Sequence, residues 1–162
     1  MTSAETKGTV VVTGANSGLG SAFVERLLPS EPSNQYGIFT VGGLTAQSSS
    51  KLEKLLSSSN FPHSIVPLDL TSLSAVREFA EHISSRVSTG HVPENPSTSV
   101  ECGMANIRRK DTLCERWNIN YLLNFVLVLL LLKGMDTETG STVFVSSFTH
   151  NTSHYMNSAF RL

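Results

Sequence analysis

The chain has 162 residues, of which 40% are hydrophobic and 15% are charged, a composition that suits one domain with a buried core. Its 13 acidic and 12 basic residues nearly cancel, which excludes the strongly basic surface that binds nucleic acid or an anionic membrane. Neither the cysteines, Cys102 and Cys114, nor the five histidines have the spacing of metal ligands, so we expect no metal site. The first residues lack the pattern of a secretion signal, and two cysteines fit a reduced compartment. We therefore expect a cytoplasmic chain.

Strand-like and helix-like segments alternate along the sequence. In chain order the patterns predict strand 9–13, helix 18–29, strand 36–42, helix 49–58, strand 64–68, helix 72–88, an irregular segment 93–111, helix 112–133, strand 141–146 and a tail 148–162. Such alternation predicts an α/β fold with right-handed crossovers. We expect a single Rossmann-type domain over 1–162, a doubly wound parallel sheet that is incomplete at its C-terminal side.

The segment 93–111 is polar and contains prolines. A central parallel strand is covered on both faces and should be a nearly continuous apolar run, so we expect no regular strand within 95–108. The predicted strand order is then 3-2-1 followed by strand 141–146. An alternative left open is that residues 104–107 form a remnant of a strand.

The longest apolar run, 125–132, lies in the predicted helix 112–133. Even when it is extended back to Tyr121, it falls short of the roughly 20 residues that a membrane helix needs. Its all-round apolar character predicts a buried helix.

A glycine-rich turn joins the first strand to the first helix. Glycines allow a close approach of the backbone to a phosphate, and the free N–H groups at the start of a helix face the anion. The strand before the turn and the helix after it are the context that this motif requires. The predicted phosphate-binding residues are Gly14, Asn16, Ser17, Gly18, Leu19 and Gly20.

Four motifs follow the order seen in one known family. They are Thr-Gly-x-x-x-Gly-x-Gly at 13–20, Asp69 after the third strand, Asn120 in 117–122, and Ser147 at the end of 142–147. This pattern resembles the short-chain dehydrogenase/reductase family, and Ser-Ser-x-x-His at 146–150 is similar to its retinol-dehydrogenase-like and fungal members. The resemblance covers nearly the whole chain.

The resemblance implies an NAD(P)-dependent oxidoreductase that acts on a small carbonyl or alcohol substrate, with a role in fungal secondary metabolism. It further implies that Asp69 contacts the adenine, that Ser147 polarises the substrate carbonyl, and that Asn120 has a supporting structural role. In such proteins the helix matching 112–133 often packs against a partner subunit, which implies a homo-oligomer.

The family's Tyr-x-x-x-Lys and Asn-Ala-Gly motifs are not found in this chain. Tyr155 is the available tyrosine, but Ala159 stands where the lysine would be, and no lysine follows Lys133. The lysine lowers the pKa of the tyrosine that passes the proton. Two hypotheses stay open: an active reductase with Ser147, Asn120 and Tyr155 at its centre, or an inactive, truncated remnant that binds nucleotide or an intact relative.

The choice between NAD and NADP depends on the residue that follows the second strand. An acidic side chain there favours NAD, whereas a basic one pairs with the 2′-phosphate of NADP. Here the strand is followed by Gly42 and Gly43, which are neither. The lack of an acid favours NADP, with NAD as the alternative.

Overall fold

The computed structural model describes residues 8–30, 35–42, 46–89, 101–102, 121–135 and 140–144. The strands are β1 (Gly8–Thr13), β2 (Gln35–Val41), β3 (His63–Pro67) and β4 (Glu101–Cys102). The helices are α1 (Gly18–Ser30), α2 (Ala46–Ser57), α3 (Leu73–Ser88) and α4 (Leu123–Leu131), with a 3₁₀ turn at Leu132–Gly134. The four strands form one parallel sheet in the order β3-β2-β1-β4.

Strand β1 is the centre of this sheet, and all six of its residues are buried. It pairs with β2 along five residues, from Gly8 opposite Gln35 to Val12 opposite Phe39. Successive side chains of a strand point to opposite faces, so Val11 enters one apolar core and Val12 enters the other. A strand that is buried on both faces explains the continuous valine run.

One core lies between the sheet and helices α1 and α2. The side chains that these helices contribute to it are Val24 of α1 and Leu52 and Leu56 of α2. From the sheet come Val10, Val12, Phe39 and Val41.

The second core lies between the opposite face of the sheet and helices α3 and α4. Its helical members are Val76, Phe79, Ala80, Ile83, Leu123, Leu127 and Leu131. Val11 and Ile38 are its members from β1 and β2. Helices therefore cover both faces, and the predicted doubly wound parallel sheet is confirmed.

The prediction of no regular strand within 95–108 is corrected at two residues, which form β4. This strand has two residues, which pair in parallel with the end of β1: Glu101 opposite Val12 and Cys102 opposite Thr13. It precedes the remnant considered at 104–107, which lies outside the described residues. A two-residue ladder does not require the long apolar run of a full central strand, which is why composition alone missed it.

The predicted strand 141–146 is wrong over the part that can be compared, because residues 140–144 form no strand. The place beside β1 that this strand was expected to fill is occupied by β4. Since β4 has only two residues, it also offers little edge for a further strand to pair with. Val143 and Phe144 remain 45% and 44% exposed.

The predicted helices agree with the observed ones apart from their ends. Helix α2 begins at Ala46, three residues before the predicted start at 49. Helix α3 is capped by Ser72, whose side chain accepts a hydrogen bond from the Ala75 N–H. Of the predicted helix 112–133, residues 112–120 lie outside the described residues.

Candidate nucleotide-binding site

The turn between β1 and α1 depends on a left-handed backbone at Gly14. Its φ is 63°, a conformation that glycine adopts without the steric cost that other residues meet. The Ser17 N–H donates a 2.8 Å hydrogen bond to the Gly14 carbonyl and closes the turn. The chain therefore reverses tightly enough for α1 to begin at Gly18.

Thr40 of β2 attaches this turn to the sheet. The Ala15 N–H donates to the Thr40 carbonyl at 2.8 Å, and the Gly14 N–H lies 3.4 Å from the Thr40 hydroxyl oxygen. Thr40 is 1% exposed, so both bonds are shielded from water. The turn is thus fixed laterally by the strand beside β1.

The first turn of α1 leaves two backbone donors free. Of the N–H groups that an α-helix cannot satisfy internally at its start, that of Gly20 donates to the Ser17 hydroxyl at 3.2 Å. The N–H groups of Gly18 and Leu19 have no partner among the described residues, and both residues are exposed. With the positive end of the helix dipole, these donors form a place for an anion.

The two helical glycines of the turn have different surroundings. A Cβ atom at Gly20 would collide with the Gly14 carbonyl oxygen and lie 2.9 Å from the Ala15 Cα atom. A Cβ atom at Gly18 would meet nothing within 4 Å. The close approach of α1 to the turn residues Gly14 and Ala15 therefore requires glycine at position 20, whereas the fold itself does not require it at position 18.

The turn lies where the strand order reverses. From β1 the chain continues to β2 and β3 on one side, whereas β4 pairs on the other side. In open parallel sheets, the crevice at such a reversal, beyond the carboxyl ends of the strands, is the usual ligand site. The free donors of α1 lie at this edge because α1 follows the carboxyl end of β1 directly.

Asp69 lies in the turn that follows β3. Its Oδ1 atom accepts hydrogen bonds from the Thr71 N–H at 2.8 Å and from the Thr71 hydroxyl at 2.7 Å. The carboxylate is exposed. The preceding Leu68 N–H donates to the Val41 carbonyl at 3.0 Å, which places this turn at the same edge of the sheet as the glycine turn.

The remaining predicted residues divide into two groups. Asn16 is half-buried in the glycine turn. The residues with expected catalytic or supporting roles, Asn120, Ser147 and Tyr155, lie outside the described residues.

Sequence reasoning missed Asn124, which reaches the site from α4. The Thr13 hydroxyl donates a buried 3.3 Å hydrogen bond to the Asn124 Oδ1 atom. The available signal was a single amide side chain within an apolar run. Thr40 had no such signal, because alternation along a strand does not show which residue meets a neighbouring turn.

Comparison with known proteins identifies the family. The model of the short chain dehydrogenase family matches residues 8–160. The short-chain dehydrogenase iccH of Talaromyces variabilis is 36% identical over 152 residues, which cover 89% of this chain and 42% of iccH. The chain belongs to the short-chain dehydrogenase/reductase family, and it spans less than half of this curated relative.

Solved structures agree with this assignment. The NADPH-bound carbonyl reductase from chicken fatty liver has a TM-score of 0.59 and 25% identity, over 80% of this chain and 48% of that one. A metagenomic short-chain oxidoreductase in complex with NADP has a TM-score of 0.65 and 15% identity, over 90% of this chain and 64% of that one. At 15% identity, the similarity to the metagenomic oxidoreductase supports the fold alone.

The described residues were also compared with the requirements of a membrane-spanning helix and of a metal site. No helix among them is long and apolar enough to cross a membrane. No three His, Cys, Asp or Glu side chains gather there as ligands for a metal ion.

Proposed function

We propose that this chain binds NAD(P) and is the nucleotide-binding part of an oxidoreductase acting on small carbonyl or alcohol compounds. The observation that carries the proposal is the pair of free N–H groups at Gly18 and Leu19, at the reversal of strand order. Such donors match a pyrophosphate group. Similarity to an NADPH-bound carbonyl reductase supports the same conclusion.

The residues of the turn fit this ligand. Because a Cβ atom at Gly18 would enter open space, the glycine there leaves the helix start accessible to a phosphate. Ser17 holds the Gly20 N–H and thereby keeps the first turn of α1 in shape. Asn16, Leu19 and Gly14 complete the proposed contact set, with Asp69 at the adenine end.

We propose NADP rather than NAD as the preferred cofactor. Gly42, which follows β2, is exposed and carries no carboxylate to repel a 2′-phosphate. Lys51 of α2 is exposed and adds a positive charge on the element that follows. Comparison of NADPH and NADH affinities checks this preference, and tighter binding of NADH would contradict it.

The proposed chemistry is hydride transfer, which a bound nicotinamide supplies. Ser147 would polarise the substrate carbonyl, Asn120 would support the site, and Tyr155 is the available proton donor. A second candidate is binding without turnover. It is favoured by the sequence, in which Ala159 follows Tyr155 at the position of the expected lysine.

We also propose a cytoplasmic homo-oligomer that forms through α4. Tyr121, Phe125, Leu129 and Leu132 recur at helical spacing, and each is more than two-fifths exposed. Phe144 lies beside this stripe, with its ring centroid 6.4 Å from that of Phe125. A second copy of the chain would cover the stripe.

The central experiment is calorimetric titration of the purified chain with NADPH. Wild type should bind, and Gly18→Val should bind at least tenfold more weakly, because the new side chain occupies the approach to the free N–H groups. Gly134→Val is the matched control, since a Cβ atom there also meets nothing within 4 Å. Equal affinity of wild type and Gly18→Val would refute the proposed phosphate site.

A further inference from the structure

We infer that Asn124 is a positioning residue for the nucleotide, which acts by holding the last residue of β1. The inference rests on the proposed nucleotide binding. Asn124 contacts Thr13 of β1, and its proposed effect on the nucleotide is indirect.

The hydrogen bond between Thr13 and Asn124 is shielded from water. The Thr13 hydroxyl donates to Asn124 Oδ1 at 3.3 Å, and both residues are 1% exposed. A buried polar group is costly unless it is paired. Removing one partner removes this bond from the other, so each side chain constrains where the other can lie.

The amide also fixes the rotation of α4 about its own axis. Leu123, Leu127 and Leu131 lie on its buried face, and Asn124 is the buried polar side chain among them. A rotated helix could bury other leucines equally well, but it would leave Asn124 without the Thr13 hydroxyl. A single buried polar residue sets register in this manner in other helical assemblies.

Thr13 transmits this constraint to the turn. It directly precedes Gly14, whose φ of 63° sets the direction of the chain. Thr40 fixes the turn from β2, and Asn124 fixes its start from α4. Loss of either attachment would allow the donors of Gly18 and Leu19 to spread over more orientations, and a less preorganised site binds more weakly.

The test compares two threonines of the same strand. Thr13→Val removes the hydroxyl that bonds to Asn124. Thr9→Val is the matched control, because Thr9 is fully buried on the same face of β1 and its hydroxyl makes no hydrogen bond in the described structure. Asn124→Leu removes the other partner, and Thr13→Ser keeps the hydroxyl.

NADPH affinity is measured by calorimetry, and the free energy of unfolding is measured in urea. Affinity is compared only for variants that circular dichroism shows to be folded. Thr13→Val and Asn124→Leu should each bind about three- to tenfold more weakly, the range expected for loss of one hydrogen bond. Thr13→Ser should restore most of the affinity, and Thr9→Val should bind as wild type does. A purely structural role would reduce stability and leave the affinity of the folded protein unchanged.

Three outcomes would overturn the inference. If Thr13→Val binds NADPH within twofold of wild type, Asn124 does not position the nucleotide, and the proposed function still stands. If Thr9→Val weakens binding as much as Thr13→Val does, the effect is not specific to the Asn124 bond. If wild type itself does not bind NADPH, the proposed function and this inference both fail. The Thr13 variants decide the matter even if Asn124→Leu does not fold.

Discussion

Gly18 and Gly20 are two residues apart in the first turn of α1, yet they serve different purposes. Gly20 is buried against the backbone of the preceding turn, so its missing side chain lets α1 pack against Gly14 and Ala15. Gly18 is exposed and has a negative φ, since Gly14 is the glycine with a positive value in the described residues. Gly18 is therefore not held in a conformation that is open to glycine alone.

This difference predicts opposite effects of the same substitution. Gly20→Ala should lower the free energy of unfolding by about 1–3 kcal/mol, as expected for overpacking against backbone that cannot move aside. Gly18→Ala should leave it unchanged or raise it by about 0.4–1 kcal/mol, because alanine has fewer unfolded conformations to lose. Urea unfolding followed by circular dichroism measures both. Equal destabilisation by the two variants would contradict the assigned packing at Gly20.

Arg86 joins the end of α3 to the sheet. Its guanidinium donates to the Tyr36 hydroxyl at 3.2 Å and to the Ser64 hydroxyl at 3.5 Å. It also lies 5.5 Å from the centroid of the Tyr36 ring, in cation–π contact. One side chain therefore connects α3 with the first residues of β2 and β3, at the edge of the sheet opposite the glycine turn.

Replacement of Arg86 should affect stability and leave binding unchanged. Arg86→Met keeps much of the side-chain length but removes the donors and the charge, so we expect a loss of about 1–2 kcal/mol in the free energy of unfolding. Arg77→Met is the matched control at an exposed position of the same helix, with an expected change within about 0.5 kcal/mol. A change in NADPH affinity with Arg86→Met would contradict its separation from the site.

The elements with strong local patterns were predicted from the sequence to within a few residues. β1 begins one residue before its predicted start, and β2 and β3 each begin and end one residue earlier than predicted. The agreement is close because valine runs and alternation are local signals. β4 was missed because two residues contain no periodicity. Segment 141–146 has the composition of a strand, but a strand also needs a neighbour to pair with, and composition does not report on neighbours.

The candidate site was predictable to a similar extent. The glycine turn is encoded within eight consecutive residues, 13–20, so its place between strand and helix followed from local sequence. The Thr13 to Asn124 bond joins residues 111 positions apart. No local pattern reports such a contact, and Asn124 was interpreted only as part of an apolar helix.

Several large apolar side chains in and around α4 are exposed to solvent. They are Tyr121, Leu122, Phe125, Leu129, Leu130, Leu132, Val143 and Phe144. Phe125 and Phe144 are in ring contact, and exposed apolar side chains that form a patch commonly mark a protein interface. Contact with a second copy would bury the same stripe on both chains, as a two-fold interface requires.

The proposed oligomer predicts a change of mass in solution. Wild type should sediment as a dimer or larger species at micromolar concentration, and Leu129→Glu should shift it toward monomer because a charge would be buried at the interface. Leu73→Glu is the control: Leu73 is 40% exposed and lies on α3, outside the patch. Monomeric wild type would contradict the proposed homo-oligomer.

The whole chain also allows a prediction about activity. The 162 residues should bind nucleotide without measurable carbonyl reduction, because Ala159 stands where the lysine that assists Tyr155 is expected. Proton delivery by a positioned group contributes about 10²- to 10⁴-fold to the rate. Nicotinamide absorbance with a panel of aldehydes and ketones measures turnover. Activity that disappears in both Ser147→Ala and Tyr155→Phe would instead establish a working centre with Tyr155 as the acid.

The bond from Thr13 to Asn124 also bears on when the site forms during synthesis. Strands β1, β2 and β3 with their helices lie within residues 8–88, so this part of the sheet can assemble from neighbouring segments as the chain leaves the ribosome. The glycine turn belongs to this early part, but its attachment to α4 becomes available only after Asn124 has emerged. A nascent chain that has formed its first three strands would thus hold the turn from β2 alone, and the proposed nucleotide binding would reach its full affinity only after α4 has docked.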